Sequence, residues 1–238
     1  MMERIEEIKR ELQIAQAHND RLMLAQLYGE AGDWYFRSHQ LSSALESYQK
    51  ALALYREIGN ELGEARILQA IGDVLNFRKE LDNALLHYQE SLKLFRRTGS
   101  VVGEASVLKS IGDVLNFRKD LDRALMHYQQ ALELYRTVGD RLGEANTLQA
   151  LGDVFRFRGE YDNALAHYQQ ALELYRAVGD RLGEANALQA LGDALRLRDE
   201  YDQALLYYQQ ALELYRALGT QLGEANTLRV LADVFRFR

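Results

Sequence analysis

The chain contains no cysteine and no proline. Without cysteine there are no disulfides and no thiolate for metal binding or nucleophilic attack. The composition fits a reducing compartment, so a cytoplasmic location is expected. Without proline, the punctuation of the chain falls to 17 glycines, the other strong breaker of regular structure. Long apolar runs are missing too: none approaches the roughly 18 residues of a membrane-spanning helix, and no membrane partner is expected. The first residues, MMERIEEIKREL, are charged and amphipathic and lack the apolar core of a secretion signal. Nor is there an excess of positive charge. Lys and Arg number 29 against 35 Asp and Glu, a net charge of −6, which gives nucleic acid or an anionic surface little electrostatic grip.

What the chain does have is a repeat. Glycine-aspartate occurs at Gly32-Asp33, Gly72-Asp73, Gly112-Asp113, Gly152-Asp153 and Gly192-Asp193, and Ala232-Asp233 takes the sixth place, in steps of 40 residues. Residues 141–180 and 181–220 agree at 30 of 40 positions. A fixed period of this length marks a solenoid or an array. Each unit carries two helical patterns. In the fourth, Ala164, Leu165, Tyr168, Ala171, Leu172 and Tyr175 fall on one face of a 3.6-period helix, as do Leu142, Ala145, Leu148, Leu151, Gly152 and Phe155 before them. No window alternates like a strand. Asp20, Asn60, Ser100, Asp140, Asp180 and Thr220 precede the first helices as N-cap residues. Glu64, Glu104, Glu144, Glu184 and Glu224 follow near the first turn, where the helix dipole favours negative charge. Gly59, Gly99, Gly139, Gly179 and Gly219 stand where a left-handed helix end wants glycine. The inner turn, Gly159-Glu160-Tyr161 in one unit and Lys79-Glu80-Leu81 in another, is less fixed. Gly152 inside a helix implies a close approach between the two helices of a hairpin, with Leu151, Phe155, Tyr168 and Leu172 filling the layers between hairpins.

The run Leu148, Leu151, Gly152, Phe155, Gly159, Tyr161, Ala164, Tyr168 and Ala171 resembles the signature of the tetratricopeptide repeat. The common form has 34 residues and a proline after its second helix. With 40 residues and no proline, this chain looks like the longer variety found in kinesin light chains, in Pins-type polarity adaptors and in bacterial arrays that follow a signalling ATPase. The resemblance implies an all-α, right-handed α-solenoid of antiparallel helix hairpins, a superhelix of about 12 helices in a single array over 1–238. Its parts would be an N-terminal capping helix at 1–18, five repeats at 21–60, 61–100, 101–140, 141–180 and 181–220, and an unpaired last helix at 221–238.

In such arrays the first helices line a concave groove. That resemblance puts Asn146, Gln149, Asp153, Arg156 and Phe157 of the fourth unit on the groove face, with Asn186, Gln189, Asp193 and Arg196 in the fifth and Asn226 and Asp233 in the last helix. The aspartates would form one ladder, while Phe36, Asn76, Asn116, Arg156, Arg196 and Arg236 form a column that changes character along the chain. Amides, guanidinium forks and apolar strips suit an extended or helical peptide. The blander possibility is a solvated face on which Asp153 and Arg156, three apart, satisfy each other. The family's clamp for C-terminal carboxylates uses lysines and asparagines where Gln149, Asp153 and Phe157 stand, which argues against that ligand class.

Other chemistry is weakly supported. His87, His127 and His167 recur one per hairpin, two helix spacings apart, too far to share one zinc ion. Arg78, Arg118, Arg158, Arg198 and Arg238 could attract single-stranded nucleic acid, but the net charge and the aspartate ladder oppose it, and ion pairs to a neighbouring hairpin would account for them. No catalytic constellation, phosphate loop or dinucleotide glycine pattern emerges, so no enzyme activity, cofactor or metal is expected. The last helix lacks a partner helix, which should leave Leu228, Leu231, Val234 and Phe235 partly exposed and available for end-to-end self-association as a homodimer, or mark a truncated array. The expected function is a non-catalytic scaffold that binds a peptide or protein segment in the groove. Two alternatives are a regulatory arm of a larger signalling ATPase-type protein and a designed or consensus array without a natural ligand.

Overall fold

A computed structural model describes the backbone of residues 2–237 and the side chains of residues 4–234. The described residues form twelve α-helices: α1 (Met2–Ala17), α2 (Arg21–Arg37), α3 (Leu41–Glu57), α4 (Glu61–Phe77), α5 (Leu81–Thr98), α6 (Val101–Phe117), α7 (Leu121–Val138), α8 (Arg141–Phe157), α9 (Tyr161–Val178), α10 (Arg181–Leu197), α11 (Tyr201–Leu218) and α12 (Gln221–Phe237). The fold class is all-α, and within each unit successive helices pack as antiparallel hairpins. The chain divides into two compact units, Met1–Val114 and Leu115–Arg238. In the first, α1 packs on α2 through Ile5, Ile8, Ala15, Leu27 and Ala31, and α2 pairs with α3 and α4 with α5. In the second, α8 pairs with α9 and α10 with α11, and α12 closes on α11.

The helix boundaries follow from their caps. Asp20 accepts from the Met23 N–H, Asn60 from Gly63, Asp140 from Gly143 and Asp180 from Gly183, each at 2.9 Å. Thr220 departs from this pattern, since its hydroxyl donates backwards to the Tyr215 carbonyl at 3.1 Å. The turns between hairpins end in left-handed glycines such as Gly139, at φ 71°. The inner turns need the same geometry but seldom have glycine. His39, Lys79, Lys119 and Asp199 all sit at φ 58–64°, and only Gly159 has no Cβ to strain.

Two glycine sockets per period hold the helices together. Inside a hairpin, a Cβ on Gly72, Gly152 or Gly192 would stand 2.5–2.7 Å from the ring of Tyr88, Tyr168 or Tyr208 on the facing helix. Each of these rings is less than 2% exposed, and each hydroxyl donates to the aspartate that follows the glycine, at 2.7–2.8 Å. Tyr168 therefore packs within its hairpin over Gly152, rather than only between hairpins as its spacing suggested. Across each turn to the next hairpin, the rings of Tyr55, Phe95, Tyr175 and Tyr215 lie on Gly63, Gly103, Gly183 and Gly223. The adjoining arginine clips the turn: Arg56 to Glu64, Arg96 to Glu104, Arg176 to Glu184 and Arg216 to Glu224, all at 2.7–2.8 Å.

Gly152→Ala should therefore destabilise the protein, although alanine is the better helix former by about 1 kcal/mol. Overpacking against the Tyr168 ring costs roughly 1–3 kcal/mol, and displacing its hydroxyl from Asp153 costs about 1 kcal/mol more. A lower urea midpoint is expected, and an unchanged or higher one would refute the socket. At the inner turns the sign reverses. Lys79→Gly should raise the midpoint by relieving roughly 1 kcal/mol of left-handed strain, and Gly159→Ala should lower it by a similar amount.

Candidate functional site

A cleft lies at the same place in the repeat in each unit. In the first unit, α2 and α4 bound a cleft of about 680 Å³ lined by Gln26, Glu30, Asp33, Tyr55, Arg66 and Ile67, among others. In the second, α8, α10 and α12 bound one of about 460 Å³. Adding 160 to Gln26, Asp33, Tyr55 and Arg66 gives Asn186, Asp193, Tyr215 and Asn226 of the second cleft. The recurrence follows from the sockets, because a ring seated on glycine at the start of one first helix leaves a hollow above it, beside the preceding first helix.

The second cleft gathers five of the ten residues predicted for the groove: Gln149, Asn186, Gln189, Asp193 and Asn226. Asn186 accepts the Tyr215 hydroxyl at 2.7 Å. Gln189 accepts from Thr227 at 3.2 Å, and the Oε1 of Gln149 is buried with no hydrogen-bond partner. Leu182 and Leu222, 46% and 76% exposed, add an apolar rim. Burial raises the Tyr215 phenol to about 12, so it remains a proton donor at neutral pH. Tyr215, Leu182 and Leu222 were missed in the sequence. Tyr215 looks like a core residue of a second helix, and only its pairing with Asn186 brings it to the cleft.

The remaining predicted residues lie outside the cleft. Asn146 is exposed on α8 and accepts the Tyr175 hydroxyl at 2.7 Å. Asp153 and Arg156 meet at 3.3 Å, as their spacing suggests, and Arg156 also donates to the Tyr168 hydroxyl at 3.2 Å and lies over the Phe157 ring. Arg196 on α10 has a buried Nε with no partner, and Asp233 lies 3.7 Å from Arg229. The aspartate column is not a free acidic ladder, because Asp33, Asp73, Asp153 and Asp193 each accept a tyrosine hydroxyl at 2.6–2.8 Å.

The open face expected on the last helix is also different. Leu231 and Val234 are buried, 8% and 0% exposed, against Leu195, Ala204, Leu205 and Tyr208. The helical period turns Val230, Leu231 and Val234 toward α11. Leu228 is exposed as expected, at 43%, and the same face carries Leu222, 76% exposed, with Ala225 and Ala232. Phe235, Arg236, Phe237 and Arg238, on which other expectations fell, lie outside the residues whose side chains are described.

His87 and His167 bond the carbonyls of Asn83 and Asn163 on their own helices, at 2.9 and 2.7 Å. No cluster of histidine and acidic side chains suited to a metal ion occurs among the described residues. Arg158 and Arg198 pair with Asp122 and Asp162 on the preceding hairpins, at 3.1 and 2.5 Å. No described helix is long and apolar enough to cross a membrane.

A family model of the tetratricopeptide repeat matches residues 23–97, 103–177 and 153–217, and the chain belongs to that family. No curated protein matches it. Among solved structures it is similar to BtubC (BKLC) from P. vanneervenii, with a TM-score of 0.79 and 16% identity over 91% of both chains. It is also similar to the apo form of RapI, with a TM-score of 0.76 and 20% identity over 98% of this chain and 64% of that one. A third similar structure is the Rap conjugation gene regulator of plasmid pLS20 in complex with the Phr* peptide. There the TM-score is 0.75 and the identity 18%, over 90% of this chain and 59% of that one. At these identities the likeness is one of fold, and the chain spans less than two thirds of either Rap chain.

In the first unit, burial raises the Asp73 carboxyl to about 6. Asp113 and Asp33 add repulsion, while the Tyr88 hydroxyl and Lys109 pull the other way. Folded Asp73 therefore holds a proton between the ordinary carboxylate value near 4 and about 6, where the unfolded chain has lost it. Its contribution favours the folded state at low pH and is lost as pH rises through that window. Asp73→Asn keeps an acceptor for Tyr88 and removes the charge. The urea midpoint of this variant relative to wild type should rise between pH 4 and pH 7, whereas a difference independent of pH would contradict the assignment.

Proposed function

We propose that the protein is a non-catalytic scaffold that holds a peptide or an extended protein segment along the first helices of its hairpins. The cleft of α8, α10 and α12 is its principal contact. The supporting observation is the lining of that cleft: Gln149, Asn186, Gln189 and Asn226 place four amides beside Asp193 and the Tyr215 ring. An amide both donates and accepts, so it can meet either group of a peptide backbone whatever the ligand's sequence. Asp193 adds an acceptor for backbone N–H groups or basic side chains. Leu182 and Leu222 supply the apolar contact that gives an extended ligand its register. On this reading Arg156 and Arg196, the cations of the same helices, take acidic ligand residues.

The Rap chain from pLS20 was solved with a peptide bound, and a peptide-responsive regulatory arm is the narrower form of the proposal. The 40-residue unit supports a reading of the chain as the long-repeat variety of the family, and the absence of cysteine supports a cytoplasmic setting. The chemistry of the cleft is that of recognition. Its groups are amides, the hydroxyls of Tyr215 and Thr220, one carboxylate that already accepts the Tyr208 hydroxyl, and apolar side chains.

Selection of linear peptides from a displayed library tests the proposal. Peptides chosen on wild type should bind the Gln149→Ala/Asn226→Ala variant at least about tenfold more weakly, the loss expected for one or two hydrogen bonds. Helicity and urea midpoint should stay unchanged. Selected peptides that bind both proteins equally would place recognition elsewhere.

A further inference from the structure

A near-identical repeat makes each departure from it informative. Positions 26, 66, 106, 146, 186 and 226 carry Gln, Arg, Ser, Asn, Asn and Asn. Arg66 is the one charged member of this column, and it stands on the wall of the cleft of the first unit. Among the described residues no carboxylate pairs with Arg66, whereas Arg56 nearby spans Glu64 and Glu90, each at 2.7 Å. Tyr55 lines the same cleft and is 9% exposed. Its counterparts Tyr175 and Tyr215 give their protons to Asn146 and Asn186, but the Tyr55 hydroxyl has no acceptor among the described residues. Arg66 is close enough for its charge to act on that hydroxyl. Two unspent donors therefore share one cleft. The carboxylates of the same cleft are already engaged, Glu30 by Arg4 and Asp33 by the Tyr48 hydroxyl.

We propose that this cleft is a second ligand site, separate from the amide cleft of the other unit, and that it takes a carboxylate of a bound peptide. The Arg66 guanidinium grips the two oxygens in parallel, and the Tyr55 hydroxyl donates to one of them. Leu62 and Ile67 line the cleft beside them and meet the apolar stem of the ligand. The carboxylate comes either from an aspartate or glutamate side chain or from a chain terminus. The rung used is that of Arg66, not the rung at which the family's carboxylate clamp has its lysines. The site does not depend on peptide binding in the second unit, so either can fail without the other.

The test uses the whole chain labelled with ¹⁵N and three otherwise identical hexapeptides. One is blocked at both ends with a central glutamate, one is blocked with glutamine in its place, and one carries the glutamine and a free C-terminus. The amides of Gly63 to Ala70 should shift with a carboxylate-bearing peptide and not with the neutral one, and which of the two acts identifies the source. Arg66→Asn should weaken binding by about tenfold or more and Tyr55→Phe by a few-fold, the range for losing a charged and a neutral hydrogen bond. Both substitutions already occur in other units, as Asn146 and Phe95, so the fold accommodates them. Equal shifts with the neutral peptide, unchanged affinity in Arg66→Asn, or no shift with any peptide at several millimolar would each overturn the proposal.

Discussion

A tyrosine ring seated on a bare glycine, its hydroxyl tied to the next aspartate, is the contact on which the rest of the structure depends. Gly152, Asp153 and Tyr168 show it fully: the ring occupies the volume where a Cβ would be, and the phenol reaches the carboxylate at 2.7 Å. The arrangement fixes the separation of the two helices and the rotation of each about its axis. It also satisfies a buried polar group that would otherwise cost about 1–3 kcal/mol. Because the glycine removes only one side chain, the neighbours Leu148, Leu151 and Val154 still fill the core, each 1% exposed or less.

The second socket, between one hairpin and the next, has a functional by-product. Where Tyr215 lies on Gly223, the chain leaves a hollow beside α10, and the hydroxyl of the same tyrosine reaches its rim and bonds Asn186. The packing residue and the site residue are therefore one side chain, with the ring supporting the interface and the phenol setting the polarity of the cleft. Where the partner asparagine is replaced, as at Gln26 opposite Tyr55, the ring keeps its seat on Gly63 and the hydroxyl is released. A substitution in one column thus changes the chemistry of a cleft without changing the fold.

The fold was legible because the repeat states its own boundaries. Asp140 and Asp180 cap as expected, Gly139 and Gly179 take the left-handed turn, and the helical period finds every element. The site was only half legible. The family resemblance put Gln149, Asn186, Gln189, Asp193 and Asn226 on one face, but it could not show that Asp153 and Asp193 were already bonded to tyrosines from the facing helix. That bond joins positions 15 apart, and no single-helix pattern contains it. The last helix misled for a related reason. Its spacing did not tell the two faces of the helix apart, and Leu231 and Val234 belong to the face turned toward α11.

The ties between neighbouring hairpins all fall within one period of the sequence. Arg176 meets Glu184 eight residues on, Tyr175 lies on Gly183, and Arg198 reaches Asp162 thirty-six residues back. A duplicated stretch of 40 residues would therefore arrive with both halves of its interfaces already matched. The array can lengthen or shorten by whole units without any surface being redesigned, and each new copy brings another hollow whose lining is free to diverge.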